Sequence, residues 1–381
     1  MRFLHTSDWH LGRALHGVDL LDAQRAVLEQ IVSISATKEV DAVIIAGDIY
    51  DRAVPPVEAI TLFSATLAAL AEHTTVIVTS GNHDSAIRLG YGSQLFRDRV
   101  RMRTEVAGVG EPVLLADAAG EVAIYPLPYL DPDSARLVLG GDEPLPRSHQ
   151  AVMAAALDRV RTDLATRPGT RSVVVAHAFV VGGVPTDSER SIVVGGVDSV
   201  AAETFAGIDY VALGHLHGPQ RPRSDSDTVL AYAGSPLRYS FAEAAQTKSV
   251  TLVELTADGA VTLTEVALQQ PRAMALLTGT LDEVLAAPGH ELDWVSVTIT
   301  DRARPEALFD RLKHRFPHLL HVEFKSAGAN LPGVSAERVI ADTGPRELGG
   351  DFISHVTGVN AADDELALFE QAYQAATAGG A

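Results

Sequence analysis

The 381-residue chain contains no cysteine. Disulfides, thiolate zinc sites and cysteine nucleophiles are therefore excluded. Positive charge is also scarce, because 30 lysines and arginines face 49 aspartates and glutamates and leave a net charge of −19. A chain this acidic does not coat nucleic acid by its own charge. Any anionic substrate would have to be held by metal ions and by local basic patches.

Long apolar runs are missing as well. No stretch approaches the roughly 18 apolar residues that a membrane helix needs. The sequence opens with strand-like residues, without a basic region followed by an apolar stretch of signal length. Hydrophobic residues make up 46% of the chain and charged residues 21%, as in soluble globular proteins. We therefore expect a cytoplasmic protein with no membrane segment.

Short apolar runs rich in β-branched residues recur along the first two thirds of the chain, and they predict strands that are buried on both faces. These runs are residues 2–6, 41–47, 75–80, 172–177 and 209–215. Helical patterns lie between several of them, at 21–39 and 56–72. Strands that alternate with helices indicate an α/β fold, whose sites form at the carboxyl ends of the strands.

A polar cluster ends each of these five runs. The clusters are Asp8-x-His10, Gly47-Asp48-x-x-Asp51, Gly81-Asn82-His83-Asp84, His177 and Gly214-His215-x-His217. Their side chains offer nitrogen and oxygen ligands and no sulfur, a set that suits Mn²⁺, Fe²⁺ or Zn²⁺ better than Ca²⁺ or Mg²⁺. The sequence therefore predicts a metal centre at the strand ends.

The five clusters, in this order, resemble the motifs of the calcineurin-like metallophosphoesterases. Each motif alone is weak, whereas the ordered set is specific. The resemblance implies a β-sandwich flanked by helices that holds two divalent ions, with Mn²⁺ favoured. The metal ligands implied are Asp8, His10 and His217 for one ion, Asn82, His177 and His215 for the other, and Asp48 as the bridge. The family often has glycine before the lone histidine, and here Ala176 precedes it.

The resemblance also implies three catalytic residues. His83 would stand over the phosphate as an acid or an electrostatic stabiliser, oriented by Asp51, with Asp84 nearby. An acid that protonates the leaving oxygen supplies what the ions cannot. Asp51 has another interpretation, as a cap of the following helix.

The wording of the motifs is closer still to one group within this superfamily. "LHTSDWHLG", "AGDIYD", "GNHDS", "YVALGHLH" and "AGSPLRYSF" resemble the SbcD family of bacterial nuclease subunits, which work with an SbcC-type coiled-coil ATPase. The resemblance implies Mn-dependent hydrolysis of DNA in end processing and repair, with double-strand exonuclease and single-strand or hairpin endonuclease activity. It also implies a homodimer within a two-plus-two heterotetramer.

The chain is expected to have three parts: a nuclease domain over 1–270, a small α+β capping domain over 271–330, and a linker with a partner-binding helix over 331–381. The terminal helix, predicted over 361–377, carries an apolar stripe of Leu366, Phe369 and Tyr373. Partner docking and folding back on its own chain are both open for this stripe.

The homodimer is predicted to form through helices between residues 55 and 100. The apolar stripe proposed for it is Ala59, Leu62, Phe63, Thr66, Leu67 and Leu70. The other interpretation is that this stripe packs on the sheet.

Two other functions stay open at this point. One is a stand-alone metallophosphoesterase that acts on nucleotides or small phosphodiesters. The other is a scaffold that keeps the fold and has lost its metals, which the complete ligand set argues against.

Overall fold

A computed structural model describes residues 1–96, 99–189, 199–325, 345–357 and 359–378. The chain divides into two compact units, Met1–Pro271 and Arg272–Ala381. The predicted division into three functional parts remains a prediction. Within the described residues, no helix is both long enough and apolar enough to cross a membrane.

The first unit is built from β-strands and helices that alternate over most of its length. Its strands are β1 (Arg2–Thr6), β2 (Ala14–Leu15), β3 (Val18–Asp19), β4 (Ala42–Ala46), β5 (Thr75–Thr79), β6 (Val100–Arg103), β7 (Val113–Asp117), β8 (Gly120–Pro126), β9 (Arg171–His177), β10 (Phe179–Val180), β11 (Ser199–Val200), β12 (Tyr210–Gly214), β13 (Val229–Tyr232), β14 (Ser249–Leu255) and β15 (Val261–Ala267). Its α-helices are α1 (Leu21–Thr37), α2 (Val57–Ala71), α3 (Ala86–Leu89), α4 (Pro132–Leu139) and α5 (His149–Leu164).

Most of these strands form two sheets. One has the order β15-β14-β1-β4-β5-β6 and the other the order β13-β12-β9-β8-β7. In the first sheet β1, β4 and β5 are parallel neighbours, and in the second β9 and β12 are parallel neighbours. Within each sheet, the strands that are predicted to end in polar clusters are therefore neighbours.

The two sheets pack face to face. Their shared core joins side chains such as Ile44 and Ile77 of the first sheet to Val173 and Val175 of the second. Helices α1 and α2 cover the outer face of the first sheet, and α4 and α5 cover that of the second. Each central strand is buried on both sides, which is why its sequence is continuously apolar. The predicted β-sandwich flanked by helices is confirmed.

The dimer stripe predicted on α2 is wrong. Ala59, Leu62, Phe63, Thr66, Leu67 and Leu70 are all buried, and the apolar members belong to the core beneath the first sheet. The residues exposed on this helix lie elsewhere on it, with Val57 72% and Ile60 45% exposed. The stripe faces the sheet because burying it there removes the largest apolar area from water.

The first part of the second unit is a small parallel sheet with the order β16-β17-β18. Its elements are β16 (Met274–Gly279), α6 (Leu281–Ala286), β17 (Trp294–Ile299), α7 (Leu308–Arg315) and β18 (Leu319–Phe324). Strands and helices alternate along this part of the chain, as expected for a small α+β domain. Apolar residues of both helices and all three strands share one core.

The second unit ends in a pair of helices, α8 (Pro345–Thr357) and α9 (Asp363–Ala378). Part of the segment predicted as a linker forms the helix α8, and residues 326–344 lie outside the described residues. Two adjacent glycines make this helix hard to predict from the sequence, because glycine is unfavourable in a helix interior. A Cβ atom at Gly349 would lie 2.4 Å from the Phe369 ring, and one at Gly350 would lie 3.2 Å from Leu366. Part of the predicted α9 stripe therefore packs on the chain's own α8.

Candidate metal centre

The polar clusters meet because the ends of the parallel strands are tied together by backbone hydrogen bonds. The Asp8 N–H donates to the Gly47 carbonyl at 3.1 Å, and the His10 N–H donates to the Asp48 carbonyl at 3.0 Å. Across the sandwich, the His215 N–H donates to the Asp8 carboxylate at 3.1 Å. Loops from both sheets thus converge on one position.

Several residues in these loops have left-handed backbone conformations. The φ angles are 55° at Asp8, 43° at His10, 50° at Asp48 and 108° at His215. Positive φ is uncommon for residues other than glycine and costs free energy. Strain of this kind concentrates at functional sites, where the surrounding structure maintains it.

One group of side chains collects around His10. Its Nε2 atom lies 3.0 Å from Nε2 of His217 and 3.6 Å from Oδ2 of Asp48. Ligand atoms of Asp8, His10 and His217 all lie within 4.8 Å of one another, and all three residues are buried. This is the set that the sequence predicts for the first ion.

A second group collects around Asn82. Its Oδ1 atom lies 2.9 Å from Nε2 of His177 and 3.3 Å from Nδ1 of His215. Oδ2 of Asp48 lies 3.4 Å from the same His177 nitrogen. Asp48 therefore contacts both groups, as a bridging carboxylate must.

Burial and mutual attraction decide the protonation of these groups. Burial raises the pKa of Asp8 to about 6, although His177 and His217 oppose this. Burial would also raise the pKa of Asp48, but attraction by His177 and His10 lowers it well below its ordinary value. Conversely, Asp48 outweighs burial at His177 and raises its pKa to about 9. The negative charge of Asp48 is thus matched by a neighbouring cation.

The imidazoles of His10 and His215 favour the neutral form that binds metals. Burial lowers the pKa of His10 and lowers that of His215 to about 3. Neutral imidazole is the ligand form of histidine.

The donor set fits divalent ions. Buried carboxylates and imidazoles without sulfur suit metals of intermediate hardness. Nδ1 of His10, a buried ring nitrogen, has no hydrogen-bond partner among the described residues. In addition, the two facing Nε2 atoms of His10 and His217 can share at most one bonding proton between them, whereas both can point lone pairs at one cation.

His83 lies at the edge of the first group. Its Nδ1 atom is 2.7 Å from the Asp51 carbonyl oxygen, so Nδ1 carries the proton and Nε2 faces the centre, 3.9 Å from Oδ2 of Asp48. The contact with His83 is thus made by the Asp51 backbone carbonyl, and the orienting role of Asp51 stays a prediction. The Asp51 carboxylate instead lies 3.8 Å from His10 Nδ1 and 3.7 Å from Arg13.

The Asp84 carboxylate links the loop after β4 to the loop after β5. It accepts the N–H groups of Ile49 at 3.1 Å, Tyr50 at 2.9 Å and Gly81 at 2.9 Å. Burial and the nearby Asp48 raise its pKa to about 7, against these three hydrogen bonds. Because backbone donors contact both of its oxygens, Asp84 holds the two loops together, and its catalytic role stays a prediction.

Sequence reasoning missed four residues beside the centre. The Tyr239 ring contacts the rings of His10 and His217, with centroids 5.4 Å and 5.8 Å away, and Arg13 stands 5.1 Å over it. Ser188 and Glu243 lie behind His217. A signal existed for two of them, since Arg13 follows His10 by three residues and Tyr239 belongs to the quoted "AGSPLRYSF".

The fold and this site are those of a metallophosphoesterase. The chain belongs to the calcineurin-like phosphoesterase family, which matches residues 1–219. It is an SbcD homologue, being 36% identical over 345 residues to the D subunit of the SbcCD nuclease of Bacillus subtilis (strain 168), with 84% of this chain and 85% of that protein covered. Residues 270–357 match a second family, described as type 5 capsule protein repressor C-terminal domain. The predicted family and the predicted phosphoesterase class are confirmed.

Solved structures with similar folds have low identity. A Thermus thermophilus protein aligns with a TM-score of 0.41 and 14% identity over 70% of this chain and 99% of its own. A dimetal phosphatase from Danio rerio aligns with a TM-score of 0.44 and 13% identity over 71% of this chain and 99% of its own.

Proposed function

We propose that this protein is the nuclease subunit of a DNA-processing complex and hydrolyses phosphodiesters with two Mn²⁺ ions. The observation that carries the proposal is the pair of ligand groups that share Asp48. In this proposal Asp8, His10 and His217 hold one ion, and Asn82, His177 and His215 hold the other. When bound, such a pair of ions polarises the phosphoryl group and lowers the pKa of water.

The chain's own residues supply the other parts of the reaction. With Nδ1–H held by the Asp51 carbonyl, Nε2 is the His83 nitrogen from which a proton can be given to the leaving oxygen. The Arg13 guanidinium adds positive charge beside Asp51, which favours an anionic substrate in a chain that is acidic overall. The buried Tyr239 packs against His10 and His217 and so limits the movement of both rings.

Two partners belong to this proposal: duplex DNA with accessible ends or hairpins, and an SbcC-type coiled-coil ATPase. The Bacillus subtilis relative is, by its name, one subunit of a larger complex. We propose that the sheet over β16–β18 caps the substrate and that the α8–α9 pair binds the ATPase. Phe352 on α8 is 63% exposed and Leu368 on α9 is 68% exposed, and large apolar side chains at such exposure indicate a docking surface.

A homodimer completes the proposal, through a surface different from the predicted stripe. Large apolar side chains are exposed on α3 and the turn after it, where Ile87, Tyr91 and Leu95 are 88%, 88% and 81% exposed. Arg88 of α3 donates to the Ala53 carbonyl at 3.0 Å, which brings α3 beside the residues that precede α2. We define the dimer patch as Val54, Val57, Ile87, Tyr91 and Leu95.

Metal content and substrate choice test the proposal together. After reconstitution with Mn²⁺ at neutral pH, mass spectrometry of the desalted protein is expected to give two ions per chain, and the Asp48→Asn variant far fewer. Fewer than about one ion per chain in the wild type contradicts a two-metal site.

Linear duplex DNA and bis-p-nitrophenyl phosphate are then compared as substrates, with and without the co-purified ATPase and ATP. Cleavage of the small ester alone under every condition would favour a stand-alone phosphodiesterase.

A further inference from the structure

Behind His217 lies an ion pair that is fully excluded from water. Oε2 of Glu243 is 2.6 Å from Nζ of Lys248, and both side chains are 0% exposed. Two charges in such surroundings lose their hydration, and a buried pair is often no more stable than an apolar replacement. Stability alone therefore does not explain why these two charged side chains are buried together.

The ion pair is connected to the His217 imidazole through the Ser188 hydroxyl group, and Lys248 also donates to the His217 backbone carbonyl at 2.9 Å. Ser188 donates a short hydrogen bond to Oε1 of Glu243, and its oxygen lies 2.6 Å from Nδ1 of His217. The Thr186 hydroxyl, also near Ser188, points its own proton at Glu189, 2.7 Å away. The hydrogen-bonded path from the Lys248 ammonium group to the His217 ring thus runs through Glu243 and Ser188.

Counting protons fixes the direction of these hydrogen bonds. A carboxylate can only accept, and Glu243 has its other oxygen occupied by the Lys248 ammonium group. Ser188 has one proton, which goes to Glu243, so its oxygen must accept from His217. His217 therefore carries its proton on Nδ1 and points the lone pair of Nε2 toward His10 and Asp8.

We propose that Ser188 and Glu243, anchored by Lys248, are positioning residues that hold His217 in the tautomer able to bind the first metal ion. This inference rests on the proposed function. At His177 on the second group, the Nδ1 proton is held in a simpler way, since Nδ1 lies 2.9 Å from the Ala46 carbonyl. At His217, the hydrogen bonds through Ser188 and Glu243 hold the proton on Nδ1, as the backbone carbonyl does at His177.

Replacement of Glu243 by glutamine gives a distinctive test. The Lys248 ammonium group can only donate, so it selects the amide oxygen and turns the amide NH₂ toward Ser188. Ser188 then accepts from Gln and gives its own proton to His217. Both hydrogen bonds of Ser188 then run in the opposite direction, and His217 is protonated on Nε2. That nitrogen can no longer bind a metal ion without losing its proton.

The experiment compares Ser188→Ala, Ser188→Thr and Glu243→Gln with the wild type. The matched control is Ser249→Ala, because Ser249 is 2% exposed and its hydroxyl has no hydrogen-bond partner among the described residues. Two quantities are measured on the full chain: the Mn²⁺ affinity by calorimetry and electron paramagnetic resonance, and the His217 tautomer by ¹⁵N NMR of the metal-free protein. The His217→Gln spectrum assigns the signal.

Loss of a group that orients a metal ligand typically lowers affinity about 10–100-fold. We expect such a loss at one of the two sites in Ser188→Ala and Glu243→Gln, and near wild-type affinity in Ser188→Thr and Ser249→Ala. The wild-type signal is expected as Nδ1–H, and the Glu243→Gln signal as Nε2–H. Wild-type affinity in Ser188→Ala, or Nε2–H in the wild type, would overturn the inference even if Glu243→Gln failed to fold. Absence of metal from the wild type would instead contradict the proposed function.

Discussion

A Cβ atom added to Gly81 would lie 2.1 Å from Oδ1 of the Asp48 side chain. The same added atom would lie 2.3 Å from the Asp48 backbone nitrogen, so a side-chain rotation could not relieve the contact. The loop after β5 therefore presses against the carboxylate shared by the two ligand groups, and only glycine allows that approach.

The first prediction follows from this contact. Gly81→Ala is expected to displace Asp48 and to lower Mn²⁺ stoichiometry from two ions per chain to one or none, measured by mass spectrometry after desalting. The control is Gly218→Ala near the same strand ends, because its added Cβ would meet the ends of two flexible side chains, Gln246 at 3.4 Å and Gln220 at 3.9 Å. Two tightly bound ions in Gly81→Ala would contradict the bridging role of Asp48.

The sequence predicted the members of this site better than their contacts. Strand-end clusters are readable because buried parallel strands have continuous apolar sequences and their carboxyl ends meet at one edge. The contacts of Asp84 could not be predicted, because its backbone partners Ile49 and Tyr50 come from a different loop. Ser188 and Glu243 carried no signal, since they come within reach of His217 only when distant segments pack together.

Two predictions outside the site were wrong for the same reason, because tertiary packing decides the outcome. The amphipathic pattern of α2 identified an apolar face correctly but could not tell whether a sheet or a second chain covers it. The helix α8 was missed because Gly349 and Gly350 reduce helix propensity, while their packing against Leu366 and Phe369 is a tertiary effect that overrides propensity.

The second prediction concerns His83. His83→Ala is expected to lower hydrolysis of bis-p-nitrophenyl phosphate and of linear duplex DNA about 10²–10⁴-fold, the usual value of general acid catalysis. Metal content should stay at the wild-type level, because the proposed mechanism assigns His83 to the leaving oxygen. The exposed His73 provides the control, and His73→Ala should have wild-type rates. His83 also forms a metal-compatible group with His10 and Asp48, so loss of an ion in His83→Ala would make it a ligand.

The third prediction concerns stability and pH. The Arg171 guanidinium contacts the Asp117 carboxylate at 2.6 Å and 3.1 Å and holds the pKa of Asp117 below its ordinary value. Because the folded-state pKa is lowered, the stabilisation is present above the unfolded-state pKa of about 4 and is lost as the pH falls below it. Asp117→Asn should lower the free energy of unfolding in urea at pH 7 by about 1.5–3 kcal/mol.

The difference between wild type and Asp117→Asn should shrink as the pH is lowered from 5 toward 3. Asp158→Asn is the control, because Asp158 is 78% exposed and pairs only with the half-exposed Arg161, and exposed pairs contribute little. A difference between wild type and Asp117→Asn that stays constant down to pH 3 would show that this carboxylate is not what titrates.

The fourth prediction concerns the dimer patch. Ile87→Asp places a charge on the most exposed part of the patch and is expected to convert a dimer to a monomer, measured by light scattering at micromolar concentration. Leu137→Asp on α4 is the control, because Leu137 is a large apolar residue that is 57% exposed outside the patch. Hydrolysis of bis-p-nitrophenyl phosphate should not change in either variant. A wild-type protein that is monomeric at this concentration would refute the proposed homodimer.

The last prediction concerns the α8–α9 pair. Leu366 and Phe369 face the glycines of α8, and Arg346 of α8 bonds Glu370 of α9 at 2.6 Å, so the two helices stabilise each other. Phe352 and Leu368 are left exposed. A helix pair that keeps large apolar side chains in water is suited to helix-in-groove binding by an apolar partner surface.

Leu368→Asp is therefore expected to abolish co-purification with the ATPase while Mn²⁺-dependent hydrolysis of bis-p-nitrophenyl phosphate stays within about twofold of wild type. Deletion of residues 345–381 should have the same two effects. The control is Leu276→Asp on β16, because Leu276 is 59% exposed in the same unit but lies outside the helix pair. Equal loss of the ATPase in Leu276→Asp would move the contact to the small sheet, and retained binding by the deletion variant would exclude the helix pair. The two hydrolysis measurements separate loss of partner binding from loss of folding.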